Sequence, residues 1–125
     1  MPKKILIVED YAVNRSFVKF LLEEDGYEVL EAENGLEAVE TVRNQQPDLI
    51  LMDLAMPEMD GLTATEKIRQ IDGMENLPII AVTAYGQLYY EQAMKAGFND
   101  FISKPFDPLI LKPLLNQHLN QTSVK

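Results

Sequence analysis

Glu9 and Asp10 follow the apolar run Ile5-Leu6-Ile7-Val8, and Asp53 closes the run Leu49-Ile50-Leu51-Met52. Thr83 closes Ile79-Ile80-Ala81-Val82, and Lys104 follows Phe101-Ile102-Ser103. Four runs of strand length thus each end on a side chain that can bind an ion or react. Three carboxylates brought together repel and raise one another's pKa, a conflict that a hard divalent cation removes. Mg2+ suits two carboxylates, a backbone carbonyl and several retained waters. An ammonium and a hydroxyl beside that set fit a phosphoryl group, whose transfer depends on positioning and on neutralising its oxygens. The carboxylate facing such a group, Asp53, is the natural nucleophile.

The elements that must hold these residues alternate strand and helix five times. Strands are predicted at about Lys4–Val8, Glu28–Ala32, Leu49–Asp53, Ile79–Thr83 and Asp100–Ser103. The first helix is expected over about Asn14–Asp25, stopped by Gly26, and the second from an Asn34 cap with Glu37 at the third position to about Asn44. The third follows Gly61 and runs to about Ile71, the fourth covers about Leu88–Ala96, and the fifth starts from an Asp107 cap and Pro108. Pro113 falls past the first turn of that last helix, where its missing N–H removes a bond to Leu109; a kink or local unwinding is expected. The alternation, with apolar strand centres, argues a parallel α/β sheet with right-handed crossovers. In such a sheet the C-terminal strand ends share one rim, where ligands bind. Residues 1–120 read as one domain and 121–125 as a frayed polar tail.

Composition excludes several classes of function. The 125 residues, 46% hydrophobic and 25% charged, suit one globular domain. The chain has no Cys, which removes disulfides, thiolate metal sites and Cys nucleophiles. No apolar run is long enough to cross a bilayer, and Met1-Pro2-Lys3-Lys4 leads into a strand rather than a signal sequence, so a cytoplasmic setting and no membrane partner are expected. The net charge is −9, and Glu23 to Glu40 contains no Lys or Arg, which argues against direct nucleic-acid binding. The single histidine, His118, reads as a solvated residue near a polar terminus rather than a phosphodonor. The scattered methionines read as packing.

Each of these elements alone is commonplace; an acidic pair after a strand is usually a solvated loop start. All four strand ends in this order are specific, together with Met56-Pro57-Glu58-Met59-Asp60-Gly61, Thr83-Ala84 and Lys104-Pro105. Over almost its whole length the chain resembles the receiver domain of two-component response regulators. The resemblance implies a flavodoxin-like, doubly wound five-stranded parallel sheet of strand order 2-1-3-4-5. It implies that Asp53 accepts a phosphoryl group from a histidine kinase or histidine phosphotransfer protein. Mg2+ would be bound by Asp10, Asp53 and the Ala55 carbonyl, and by Glu9 through water. Lys104 and Thr83 would contact the phosphoryl oxygens, Thr83 and Phe101 would form the switch, and Lys104-Pro105 would be a cis peptide. An unknown output protein would bind the face made by the fourth helix, fifth strand and fifth helix.

Partner docking is expected at Phe17, Phe20, Tyr89 and Tyr90. At about 100° per residue, Val18, Leu21 and Leu22 share a helix face with Asn14, while Phe20 points nearly opposite and Phe17 lies on the flank. Tyr89 and Tyr90, adjacent on the fourth helix, cannot both face inward. The expected chain is a monomer or weak homodimer that catalyses only its own phosphorylation and dephosphorylation. Met1 immediately before the first strand favours a single-domain regulator; the alternative is a receiver excised from a larger regulator or hybrid kinase. An aspartate-nucleophile phosphohydrolase of the haloacid dehalogenase type is disfavoured, because Asp53-Leu54-Ala55 lacks that motif's second Asp. Besides Pro113 in the last helix, two departures from the common receiver pattern stand out. The segment Thr83 to Gly97 is one residue short; Ala55 offers no amide or carboxylate to orient a hydrolytic water and Tyr85 is bulky enough to shield the site, so a long-lived phosphorylated state is expected.

Overall fold

The computed structural model describes residues 2–54, 59–84, 86–104 and 107–119, with the main chain alone at 86–89. Five strands, β1 (Lys4–Val8), β2 (Glu28–Ala32), β3 (Leu49–Asp53), β4 (Ile79–Thr83) and β5 (Asp100–Ser103), form one parallel sheet in the order β2-β1-β3-β4-β5. The five helices are α1 (Ala12–Glu24), α2 (Gly35–Gln45), α3 (Gly61–Arg69), α4 (Gly86–Ala96) and α5 (Pro108–Leu119). The doubly wound architecture and strand order match the expectation.

Strand side chains alternate between the two faces, and both faces are covered, which is why the inner strands β1, β3 and β4 are apolar through their centres. Ile5, Ile7, Leu49, Leu51, Ile80 and Val82 pack with Val18 and Leu22 of α1 and Leu111 and Leu115 of α5. Leu6, Val8, Ile50, Met52, Ile79 and Ala81 pack on the other face with Val42 of α2, Ile68 of α3 and Ala93 of α4. After β1 the chain therefore crosses one face, and after β3 the opposite face. Between those two strands lies the switch point, and a crevice opens there at the C-terminal rim.

Helix ends differ from expectation by one or two residues at several places. α1 begins at Ala12, two residues before Asn14, because the Arg15 N–H already bonds to the Tyr11 carbonyl at 3.0 Å; Tyr11 supplies no side-chain cap. α4 likewise starts at Gly86 rather than Leu88. α3 closes at Arg69 instead of Ile71, its end tightened by bonds from Gln70 to Lys67 and from Ile71 to Ile68 before Gly73 turns at φ +89°. The α2 start is as expected: Asn34 accepts the Glu37 N–H at 2.8 Å, and the Glu37 carboxylate accepts the Glu33 N–H at 3.0 Å.

Near the C-terminus one expectation is narrowed and another is corrected. α5 runs as unbroken helix through Pro113, without local unwinding. The carbonyl that loses its bond belongs to Leu109, an 85% exposed residue on the outer side of the helix, where a missing internal bond costs less than it would in the core. His118 is not a solvated residue: its side chain is 9% exposed, and Nε2 lies 3.1 Å from Asp100 Oδ2, linking the end of α5 to the start of β5. Arg69 forms a second, longer-range tie. Its guanidinium donates to the carbonyls of Gly97, Met74 and Leu77 and to Asn99 Oδ1, joining α3, the α3–β4 turn and the end of α4. No helix of the described residues is long and apolar enough to cross a membrane.

Candidate functional site

β1, β3, β4 and β5 end on the same rim, and each delivers one part of the expected set. Glu9, Asp53 and Thr83 are buried, Asp10 is exposed and Lys104 is half-buried. Carboxylate oxygens of Glu9, Asp10 and Asp53 lie within 4.8 Å of one another. Lys104 Nζ stands 3.2 Å from Asp53 Oδ2 and 3.3 Å from Glu9 Oε1. Burial, then the neighbouring charge of Asp53, pushes the Glu9 carboxyl above its ordinary pKa, against the Tyr11 N–H and Lys104. Burial works to lower the Lys104 pKa, but Asp53 and Glu9 outweigh it and hold the ammonium above its ordinary value. One ammonium shared by two buried carboxylates beside a third leaves excess negative charge. That donor set, all hard oxygens, fits a divalent cation of the Mg2+ type.

The local main chain makes the cluster possible. The Glu9 N–H bonds to the Ala32 carbonyl of β2 at 3.1 Å, extending the ladder past Val8 and fixing where the acidic pair leaves the sheet. At the end of β3 the Leu54 N–H bonds to Val82 at 3.2 Å. Gly61 then packs so tightly that a Cβ would run into the Asp53 main-chain carbonyl. Asp60 caps α3 by accepting the Thr63 N–H at 2.8 Å, which sets that helix against the site. The turn-rich composition marked this loop in the sequence; the contact that demands glycine was not legible there.

Phe101 is half-buried, and its ring meets Tyr90 edge-on at 5.4 Å. Tyr90 is exposed at its other side, as are Phe17 and Phe20 on α1, joined there by Tyr11 and Val13. A cleft of about 530 Å³ opens between α1 and the rim, reached by Asn14, Phe17, Glu9 and Lys104. Ala55, Tyr85, Pro105 and the Tyr89 side chain lie outside the described residues, and with them the carbonyl ligand, the water-flanking positions and the cis peptide.

Sequence reasoning missed Arg15. Its Nη1 donates to the Glu9 carbonyl at 2.8 Å and its Nε to Glu31 Oε1 at 3.0 Å, while Lys19 reaches Glu31 Oε2 at 3.1 Å. Two basic residues spaced i, i+4 on α1, opposite an acidic edge strand, were the available signal.

Known proteins are similar to this chain in sequence and in fold. The family model of the response regulator receiver domain matches residues 5–116. The chain is 45% identical over 122 residues to the chemotaxis protein CheY of Bacillus subtilis, covering 96% of this chain and all of that protein. It is 42% identical over 106 residues to the polar-differentiation response regulator DivK of Brucella anthropi, covering 84% and 86% of the two chains. Among solved structures, the receiver domain of a sensor histidine kinase from Pseudomonas aeruginosa, which has a magnesium ion coordinated in its active-site cleft, superposes with a TM-score of 0.90 at 36% identity. That match covers 96% of this chain and 99% of the other. A CheY-like receiver from Methanospirillum hungatei gives 0.91 at 30% identity over 98% of both chains. Matched by that family model over residues 5–116 and similar to these proteins over nearly its full length, the chain belongs to the response regulator receiver family.

Proposed function

We propose that the chain is a phosphorylation-activated signalling switch in which Asp53 accepts a phosphoryl group from a phosphohistidine on a histidine kinase or phosphotransfer protein. The observation that carries this is the convergence of Glu9, Asp10 and Asp53 within 4.8 Å, with Lys104 Nζ 3.2 Å from Asp53. A carboxylate oxygen of Asp53 attacks the phosphorus. The O–P bond forms as the P–N bond breaks, and its electron pair leaves on the imidazole nitrogen. Lys104 exchanges its hold on the Asp53 carboxylate for a phosphoryl oxygen, and the Thr83 hydroxyl donates to another. Asp10 and Asp53 would ligate Mg2+, with Glu9 acting through water. A bound ion there supplies positive charge to the transferring oxygens.

Movement of Thr83 toward the new group would be read by Phe101 and Tyr90, altering the α4-β5-α5 face for an output protein. The chain is cytoplasmic and a monomer or weak homodimer in this reading, and it turns over no separate substrate. An Asp53→Asn variant, incubated with a phosphorylated histidine donor and Mg2+, tests it by intact-protein mass spectrometry. Wild type should gain one phosphoryl group, lost again in alkali, and the variant none. Labelling of the variant, or full labelling of wild type in excess EDTA, refutes the assignment. Steady hydrolysis of a phosphate ester would point instead to an enzyme.

A further inference from the structure

We infer that Arg15 is a positioning residue of the cation site, holding the peptide from which Asp10 projects. The inference rests on reading the three carboxylates as that site.

Asp10 is exposed, so its direction is set by the main chain on either side of it. The Glu9 carbonyl and the Asp10 N–H share one planar peptide unit. Arg15 Nη1 fixes that unit through the carbonyl at 2.8 Å. The next peptide unit, between Asp10 and Tyr11, is held by the Tyr11 N–H donating to Glu9 Oε2 at 3.2 Å. The Asp10 Cα therefore sits between two anchored planes, one of which depends on Arg15. The guanidinium is itself locked, with a side chain only 14% exposed, Nε on Glu31 Oε1 at 3.0 Å and Nη2 3.9 Å from Glu33 Oε2. These bonds use the planar fork, which presents several donors in fixed directions; a lysine ammonium cannot serve the carbonyl and Glu31 in the same way.

Charge and geometry give opposite signs here. Arg15 brings a positive charge close to the acidic cluster, so on electrostatics alone its removal would tighten cation binding. Positioning demands the reverse, since loosening the Asp10 peptide misplaces a ligand. Loss of an outer-shell partner typically weakens metal binding by about ten- to a hundredfold.

The test is calorimetric titration of the unphosphorylated protein with MgCl2, on wild type, Arg15→Met, Arg15→Lys and Glu31→Gln, with thermal melts in EDTA. Arg15→Met and Arg15→Lys should both weaken Mg2+ binding by roughly tenfold. Glu31→Gln, which frees the guanidinium but leaves it in place and disturbs the fold least, should weaken it by a smaller factor. Unchanged or tighter binding in Arg15→Lys and Glu31→Gln, with melts showing folded protein, overturns the role of Arg15 while leaving the cation site intact. Absence of Mg2+ binding by wild type overturns the site reading itself.

Discussion

Lys104 and Asp53 lie 51 residues apart in the chain and 3.2 Å apart in space, the ammonium reaching from β5 across β4 to β3. The same nitrogen contacts Glu9 at 3.3 Å. Without a metal, Lys104 is therefore the cation that keeps two buried carboxylates together.

Removing it should separate two effects. In EDTA, Lys104→Met leaves Glu9 and Asp53 buried without their shared partner, a loss of about 2 kcal/mol for a pair in partial contact with water. In Mg2+ the ion no longer competes with an ammonium, so the metal-induced rise in Tm should exceed that of wild type. Differential scanning calorimetry with and without metal checks both. A variant that melts like wild type in EDTA would show that Lys104 does not stabilise the metal-free site.

Phe17 lines the cleft beside the rim, where a donor protein would have to seat its histidine, and Phe20 is exposed one turn further along α1. Phe17→Ala and Phe20→Ala should each slow phosphotransfer from the donor protein by about tenfold, as loss of an aromatic anchor does. Transfer from a small phosphodonor such as acetyl phosphate should be unaffected. Equal slowing of both reactions, measured by stopped-flow or quench, would place the effect in the site rather than in docking.

Thr65 is fully buried on α3, and its hydroxyl has no hydrogen-bond partner among the described residues. Valine keeps the shape and removes the unsatisfied group. Thr65→Val should raise stability by about 1 kcal/mol. Urea unfolding at neutral pH checks this; a clear loss of stability would reveal a partner for the hydroxyl.

Glu31 ties β2 to α1 through Arg15 and Lys19. Burial acts to raise its pKa, but the hydrogen bonds and charges of Lys19 and Arg15 prevail and hold it below its ordinary value of 4.5. The folded state thus binds a proton at this carboxyl less readily than the unfolded chain. Its stabilising contribution is complete above pH 4.5 and is lost as pH falls through the folded-state pKa. The stability difference between wild type and Glu31→Gln should therefore be constant above that pH and shrink below it. Unfolding measured across a pH series checks this, and a difference that does not shrink in acid would contradict the pairing.

Local pattern alone was enough to read the strands and the rim from the chain. Ile5 and Ile7 must face one side of a strand and Leu6 and Val8 the other, and both sides being apolar already requires cover on both faces. The residue that ends each such run must then stand on the common edge, which is how Glu9, Asp53, Thr83 and Lys104 could be grouped without coordinates. Helix boundaries were less legible, because Ala12 joins its helix through a main-chain bond that no side chain announces. What tertiary structure alone decided are the partners of long or distant side chains. The grip of Arg15 on the Glu9 carbonyl, the fan of Arg69 bonds to three carbonyls and the pairing of His118 with Asp100 depend on how each helix is rotated and tilted over the sheet. The same holds for Pro113, which α5 accommodates as helix beside an exposed Leu109. Periodicity along the chain carries the phase of a helix but not its placement, since placement is set by packing against side chains far away in sequence.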